Sequence, residues 1–282
     1  MGTTLSYLTS LYGTSGGTGS DSMLATLYGF AGQTASSGQN PVTALTSAEQ
    51  GQTKDIKATA ADPAVKRAVD AFTAGVSKAK TVQQLLANPA VMQVLMTANG
   101  LADQIPYTAL AQKTLQSNVN DPKSLANVLT DTRWKSVVQT YDFANKGLSV
   151  IQNPKVLSTI ANGYAEVTWR QSLDATTPGL SNALTFRGEA STITSVDQIL
   201  GDPVMRTVVT TALGIPLQIA FQPLEAQEKA IRTQLDITKF KDPKYVESFV
   251  QRYLIAANSS AASGGTTPDI NTLAVQSQGL VV

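Results

Sequence analysis

The sequence predicts an all-α protein, a helical body built from a duplicated helix-pair unit and flanked by flexible Ser/Gly/Thr-rich tails. Three observations carry that expectation. One phrase is written twice without a gap, TVQQLLANPAVMQVLMTANGL at 81–101 and SVDQILGDPVMRTVVTTALGI at 195–215. Seven of the 12 prolines follow Asp or Asn, a pairing that starts helices. No stretch alternates apolar and polar residues with period two for long enough to build a sheet.

Each phrase spells out a helix, a break and a second helix. Thr81 and Ser195 are hydroxyl N-caps, and Gln84 and Gln198 follow three residues later, which makes a capping box. The short helix stops at Asn88-Pro89 or Asp202-Pro203, where the Asx side chain caps the next helix and proline takes its first position. That second helix ends at Gly100 or Gly214, the place for a glycine with positive φ. The Asx-Pro prolines are Pro41, Pro63, Pro89, Pro122, Pro154, Pro203 and Pro243. Six of them head a stretch with helical apolar spacing, and Pro41 does so least clearly. Asp121-Pro122-Lys123 and Asp242-Pro243-Lys244 follow the two copies, so the duplication is expected to cover a larger unit with a lengthened second half.

Residues 1–53 contain no Lys or Arg, and their only acids are Asp21 and Glu49. This Gly/Ser/Thr-rich segment is expected to be flexible. Inside it Leu8, Leu11 and Tyr12 recur as Leu24, Leu27 and Tyr28, two Leu-x-x-Leu-Tyr-Gly hexamers. Each hexamer gathers its apolar side chains within one helical turn and is a candidate docking face for a partner. Folding back on the protein's own core is the competing reading.

The helical body is expected to begin near Ala60. Residues 54–174 make a first helical half. Asp62-Pro63 opens a helix with Val65, Val69, Phe72 and Val76 at amphipathic spacing. The first phrase and a helix around 107–117 follow. Residues 124–138 then echo the phrase weakly, with Thr132 where the proline would stand. Trp134, Val137, Val138 and Tyr141 have core spacing, and Asn153-Pro154 opens a longer helix. On that helix Glu166 and Arg170 form an i,i+4 pair, and with Asp174 they are the nearest approach to a charged constellation. A solvated helix face is the simpler reading of them. Residues 175–257 are expected to supply a hinge at 175–194 and a second helical half, ending in a helix from Pro243 with Tyr245, Phe249, Tyr253 and Leu254. Residues 258–282 are expected to be a flexible tail.

Composition narrows the chemistry. The chain has no Cys and no His, which removes disulfides, thiolate nucleophiles, the usual general base and the commonest transition-metal ligands. No phosphate-binding glycine motif or Asp-rich calcium loop is present. The expectation is no enzyme, no cofactor and no metal, with a carboxylate-based enzyme using Glu166 and Asp174 as the residual alternative. A formal net charge of +1 leaves no electrostatic footprint for nucleic acid. No stretch is apolar enough to span a membrane, and no basic, apolar Sec-type signal peptide opens the chain.

SVDQILGDPVMRTVVTTALGI, ITKFKDPKYVESFVQRYL and LTDTRWKSVVQTYDFANKG together resemble the bacterial domain of unknown function 1217 family, over roughly residues 55–257. The resemblance implies an alphaproteobacterial, flagellum-associated setting and carries no catalytic residue to this chain. It agrees with 15% charged residues, the absence of Cys and the Ser/Thr-rich first 53 residues, all suited to flagellar export without a Sec signal. The termini lack the long apolar heptads of tube-forming axial subunits. The expected function is therefore a non-enzymatic structural or accessory protein of the bacterial flagellum or cell surface, working through protein partners or self-assembly. A cytoplasmic adaptor or export helper docking through the hexamers is the alternative.

Overall fold

A computed structural model of the protein describes residues 40–263, and every regular element among them is a helix. The first helices are α1 (Pro41–Ala61) and α2 (Pro63–Lys78). The first phrase forms α3 (Val82–Leu86) and α4 (Pro89–Ala98), followed by α5 (Thr108–Leu115) and α6 (Leu125–Val128). Next come α7 (Arg133–Tyr141), α8 (Phe143–Lys146), α9 (Pro154–Leu173) and α10 (Leu180–Glu189). The second phrase forms α11 (Val196–Gly201) and α12 (Pro203–Leu213), and α13 (Leu224–Arg232) and α14 (Pro243–Ser263) complete the body.

The Asx-Pro pairs start six of these fourteen helices. Side-chain oxygens of Asn40, Asp62, Asn88, Asn153 and Asp202 accept hydrogen bonds from the first free N–H groups of their helices, at 2.7–3.0 Å for the nearest of them. Asp242 does the same for the Lys244 N–H at 2.9 Å. Each oxygen satisfies a backbone donor that the helix leaves unpaired, and each proline forgoes an N–H that would have been unpaired as well. Pro41 heads a helix of 21 residues. Pro122 does not head one. Asp121 accepts from the Lys123 N–H at 2.9 Å, but the chain makes a turn there and α6 starts only after Ser124.

Two apolar cores result. The first gathers Phe72, Leu85, Leu95, Leu115, Trp134 and Ile160 with their neighbours. The second gathers Leu45, Trp169, Phe186, Val208, Phe249 and Leu254. Phe186, Phe240 and Phe249 form its aromatic centre, with ring centroids 5.1–5.5 Å apart in edge-on and stacked arrangements. Helix α9 joins the two cores, since Ile160 is buried in the first and Trp169 in the second.

Four sequence expectations are corrected here. Residues 40–53, assigned to a flexible segment, are helical in α1, and Ala44, Leu45 and Ala48 are buried in the second core. Their sparse charge disguised a buried stripe. Residues 175–194 are not a hinge. They contain α10, whose Leu180, Ala183, Leu184 and Phe186 are buried, and the turn before it is locked against α14. Gly179 has φ +83°, and a Cβ there would lie 2.5 Å from the Tyr253 hydroxyl oxygen. The helical body runs past residue 257, because α14 continues to Ser263 and the Asn258 amide donates to the Pro178 carbonyl at 3.1 Å. Finally, the likeness of the two halves ends with the helix pair. A 3-10 turn at Ala102–Gln104 and α5 follow the first pair, whereas 3-10 turns at Leu217–Phe221 and Ile237–Lys241 bracket α13 after the second.

Candidate functional site

The two helix pairs face a common cleft of about 890 Å³. Its walls are helix faces. Arg133, Ser136, Val137 and Thr140 come from α7, Gly163, Glu166, Val167 and Arg170 from α9, and Ser181, Thr185 and Glu189 from α10. Each set has the three- and four-residue spacing that places side chains on one side of a helix. The N-terminus of α12 adds Asp202, and the end of α4 adds Ala98 and Gly100. Gly163 allows the close seating of α9 on α4, since a Cβ there would stand 3.2 Å from the Ala98 carbonyl oxygen.

Arg133 is the most heavily bonded side chain of the cleft. Its Nη1 donates to the Gly100 carbonyl at 2.5 Å, and the guanidinium makes paired contacts with Asp103 at 2.9 and 3.0 Å. Its Nε and Nη2 donate to Asp131 at 3.0 and 2.6 Å. Burial would depress the Arg133 pKa, but bonds and charge from Asp131 and Asp103 hold it above its ordinary value. Burial likewise works to raise Asp103, yet the Arg133 and Gln104 hydrogen bonds and the Arg133 charge hold it below the usual carboxylate range. One residue earlier, the Thr132 N–H donates to the Gly201 carbonyl at 3.2 Å. The 131–133 loop therefore ties the C-terminal end of the first helix pair to the break in the second.

The other carboxylates are less settled. Glu166 pairs with Arg170, whose Nη1 also donates to the Thr185 hydroxyl at 3.3 Å, while the Arg170 Nε is buried without an acceptor. Asp202 is buried, and its Oδ1 caps α12 by accepting from Val204 and Met205 at 2.7 and 3.1 Å. Burial raises its pKa, while those N–H bonds and the Arg133 charge oppose the rise. Glu189 lines the cleft and is exposed to solvent. Loss of bulk water raises its pKa, the Asp202 charge raises it further, and Arg170 and Arg133 only partly compensate.

Of the residues singled out in the sequence, Glu166 and Arg170 are brought together, at the cleft wall rather than on a solvated face. Asp174 is engaged elsewhere, accepting from the Ser181 N–H at 2.9 Å and from its hydroxyl. Trp134 is a core residue. Leu8, Leu11, Tyr12, Leu24, Leu27 and Tyr28 lie outside the described residues. Arg133, Glu189 and Asp202 were missed as site residues. Asp202 was recognised only as a cap, and nothing local announces that Asp103 and Arg133, 30 positions apart, meet. Among the described residues no group of three or more acidic side chains is placed to hold a metal ion, and no helix is long and apolar enough to cross a membrane.

A family model described as protein of unknown function (DUF1217) matches residues 98–246, just over half of the chain. The chain belongs to the DUF1217 family. The matched span is narrower than the 55–257 read from the sequence, and it contains every residue that lines the cleft. A crystal structure of protein AGR_C_984 from Agrobacterium tumefaciens has a similar fold. The TM-score is 0.65 at 22% identity, covering 79% of this chain and 96% of that one. No curated protein matches. For this DUF1217 chain the likeness to the Agrobacterium protein establishes the fold alone.

Proposed function

We propose that this DUF1217 protein is a non-enzymatic structural or accessory protein of the bacterial flagellum or cell surface, working through protein–protein contacts. The observation that supports it is the outward placement of Phe221, 89% exposed, with Leu224, 48% exposed, three residues on. Phe221 lies in the segment between α12 and α13 and Leu224 opens α13, in a body that buries every other phenylalanine among the described residues. Solvent-facing aromatic and aliphatic side chains so close in sequence suit a surface that a partner covers. The flagellar setting rests on the family resemblance and on the charge-poor composition suited to export.

The test uses flagella purified from motile host cells carrying the tagged full chain. The protein is expected to co-purify with them. Phe221→Ser combined with Leu224→Ser is expected to abolish co-purification with little change in melting temperature. Retention in the soluble cell fraction, together with normal swimming of a deletion strain, overturns the reading.

A further inference from the structure

The register that aligns the two helix pairs carries on past their closing glycines. Gln104 and Gln218, Ile105 and Ile219, Tyr107 and Phe221, and Leu110 and Leu224 stand at aligned positions. The order of later elements differs between the halves, but these turn residues still correspond. In each half the residue after the glycine is buried and its N–H donates into the preceding helix, Leu101 to Met96 at 2.8 Å and Ile215 to Thr210 at 2.9 Å. A 3-10 turn comes next, at Ala102–Gln104 and at Leu217–Phe221. The isoleucine N–H then donates three residues back, Ile105 to Ala102 at 3.3 Å and Ile219 to Pro216 at 3.0 Å. Ile105 packs against the first core and Ile219 against the second. With the isoleucine held inward, the aromatic two residues on faces solvent in both halves: Tyr107 is 61% exposed and Phe221 is 89% exposed. A single exposed aromatic is ordinary. The same position turned outward on both cores is a repeated surface element.

We infer that the two elements are the two sides of a contact between copies of this chain, the Phe221 element of one copy packing on the Tyr107 element of the next. The inference rests on the reading of Phe221 as a covered surface and names a second copy as what covers it; it does not need the flagellar setting. Charge selects that occupant. Residues 104–112 and 207–224 contain no Asp, Glu, Lys or Arg, so neither element offers an ion pair to a charged partner, and the two meet without like-charge repulsion. A formal net charge of +1 adds little repulsion between whole copies. Polarity selects the pairing. The Phe221 ring needs only apolar cover, whereas a covered Tyr107 hydroxyl needs a hydrogen-bond partner. Gln218 and Gln222, both exposed beside Phe221, carry amide oxygens able to accept it. Each copy holds one element on each core, so it can engage through both and the contact can repeat from copy to copy.

The experiment is sedimentation velocity of the purified full chain from about 5 to 500 μM, a range that spans small, transient contacts. Wild type is expected to gain mass with concentration. Tyr107→Ser and Phe221→Ser are each expected to weaken that association at least about tenfold, with an unchanged melting temperature because both side chains face solvent. An equimolar mixture of the two variants is expected to form dimers at concentrations where neither associates alone, since the intact Phe221 of one meets the intact Tyr107 of the other. Wild type that stays monomeric at about 500 μM overturns the inference. So does association that Tyr107→Ser or Phe221→Ser leaves at the wild-type level, or a mixture that recovers nothing. A monomer that still co-purifies with flagella sinks this contact and keeps the proposed function; self-association of a protein absent from flagella does the reverse.

Discussion

The two helix pairs begin with nearly the same instructions and meet different surroundings. Their buried seats coincide: Leu86 and Leu200, Val94 and Val208, Leu95 and Val209, and Leu101 and Ile215 are all buried at aligned positions. The glycines that end them, Gly100 and Gly214, share left-handed φ values of +71° and +66°. The difference lies at the break. In the first pair it is Ala87-Asn88, with Ala87 exposed and the cap uncharged. In the second it is Gly201-Asp202, pressed against the Thr130 carbonyl and the Thr132 side chain, with a buried carboxylate facing the cleft. Local code thus builds the helix pair, and the tertiary setting decides which break can afford a side chain or a charge.

The strongest challenge to this comparison removes a shared seat. Leu95→Ala leaves a void in the first core and is expected to cost about 3 kcal/mol. Trp134 reports the first core and Trp169 the second, so urea unfolding in Trp169→Phe and Trp134→Phe backgrounds follows each core separately. Because α9 is buried in both, the loss is expected to appear equally at both reporters. A transition that moves only for Trp134 would show that the cores unfold independently.

How much of this was legible depends on how local the cause is. The caps at Asp62, Asn88, Asn153 and Asp202 were readable because each acts within three residues of itself. Helix α1 was not, because Leu45 earns its burial from residues 169–254, far along the chain. Nothing local in the sequence sets Phe221 apart from its apolar neighbours, and only the fold turns it outward. The cleft was the least legible feature. Its charges sit on α7, α9, α10 and α12, and no spacing within any one helix brings Glu189 towards Asp202.

A mid-sized effect is expected at the break itself. A Cβ on Gly201 would come within 2.6 Å of the Thr130 carbonyl oxygen and 2.7 Å of the Thr132 methyl. Backbone cannot swing aside as a side-chain end would, so Gly201→Ala is expected to lose about 2 kcal/mol in urea unfolding. The aligned change in the first pair runs the other way and meets open solvent. Ala87→Gly is expected to lose less than about 1 kcal/mol, the conformational-freedom difference alone. Equal losses would mean that the contact with the 130–132 loop does not distinguish the two breaks.

The smallest effect tests the charge. Burial raises Asp202, and burial with the Asp202 charge raises Glu189, so the folded protein holds protons at a pH where the unfolded chain has released them. Stability therefore falls as pH rises from the ordinary carboxylate range through these raised values, and it is relieved on acidification. Asp103 acts oppositely, since its lowered pKa makes its stabilisation present above the ordinary value and lost in stronger acid. Asp202→Asn keeps the cap that Asn88 already provides in the first pair and deletes the buried charge. It is expected to be neutral or to gain up to about 1 kcal/mol at pH 7, and to flatten the fall that sets in above the ordinary carboxylate range. Asp202→Ala, which frees the Val204 and Met205 N–H groups, is expected instead to lose about 1–2 kcal/mol. If Asp202→Asn loses as much as Asp202→Ala at pH 7, the charge and not the cap holds the second break together, through Arg133.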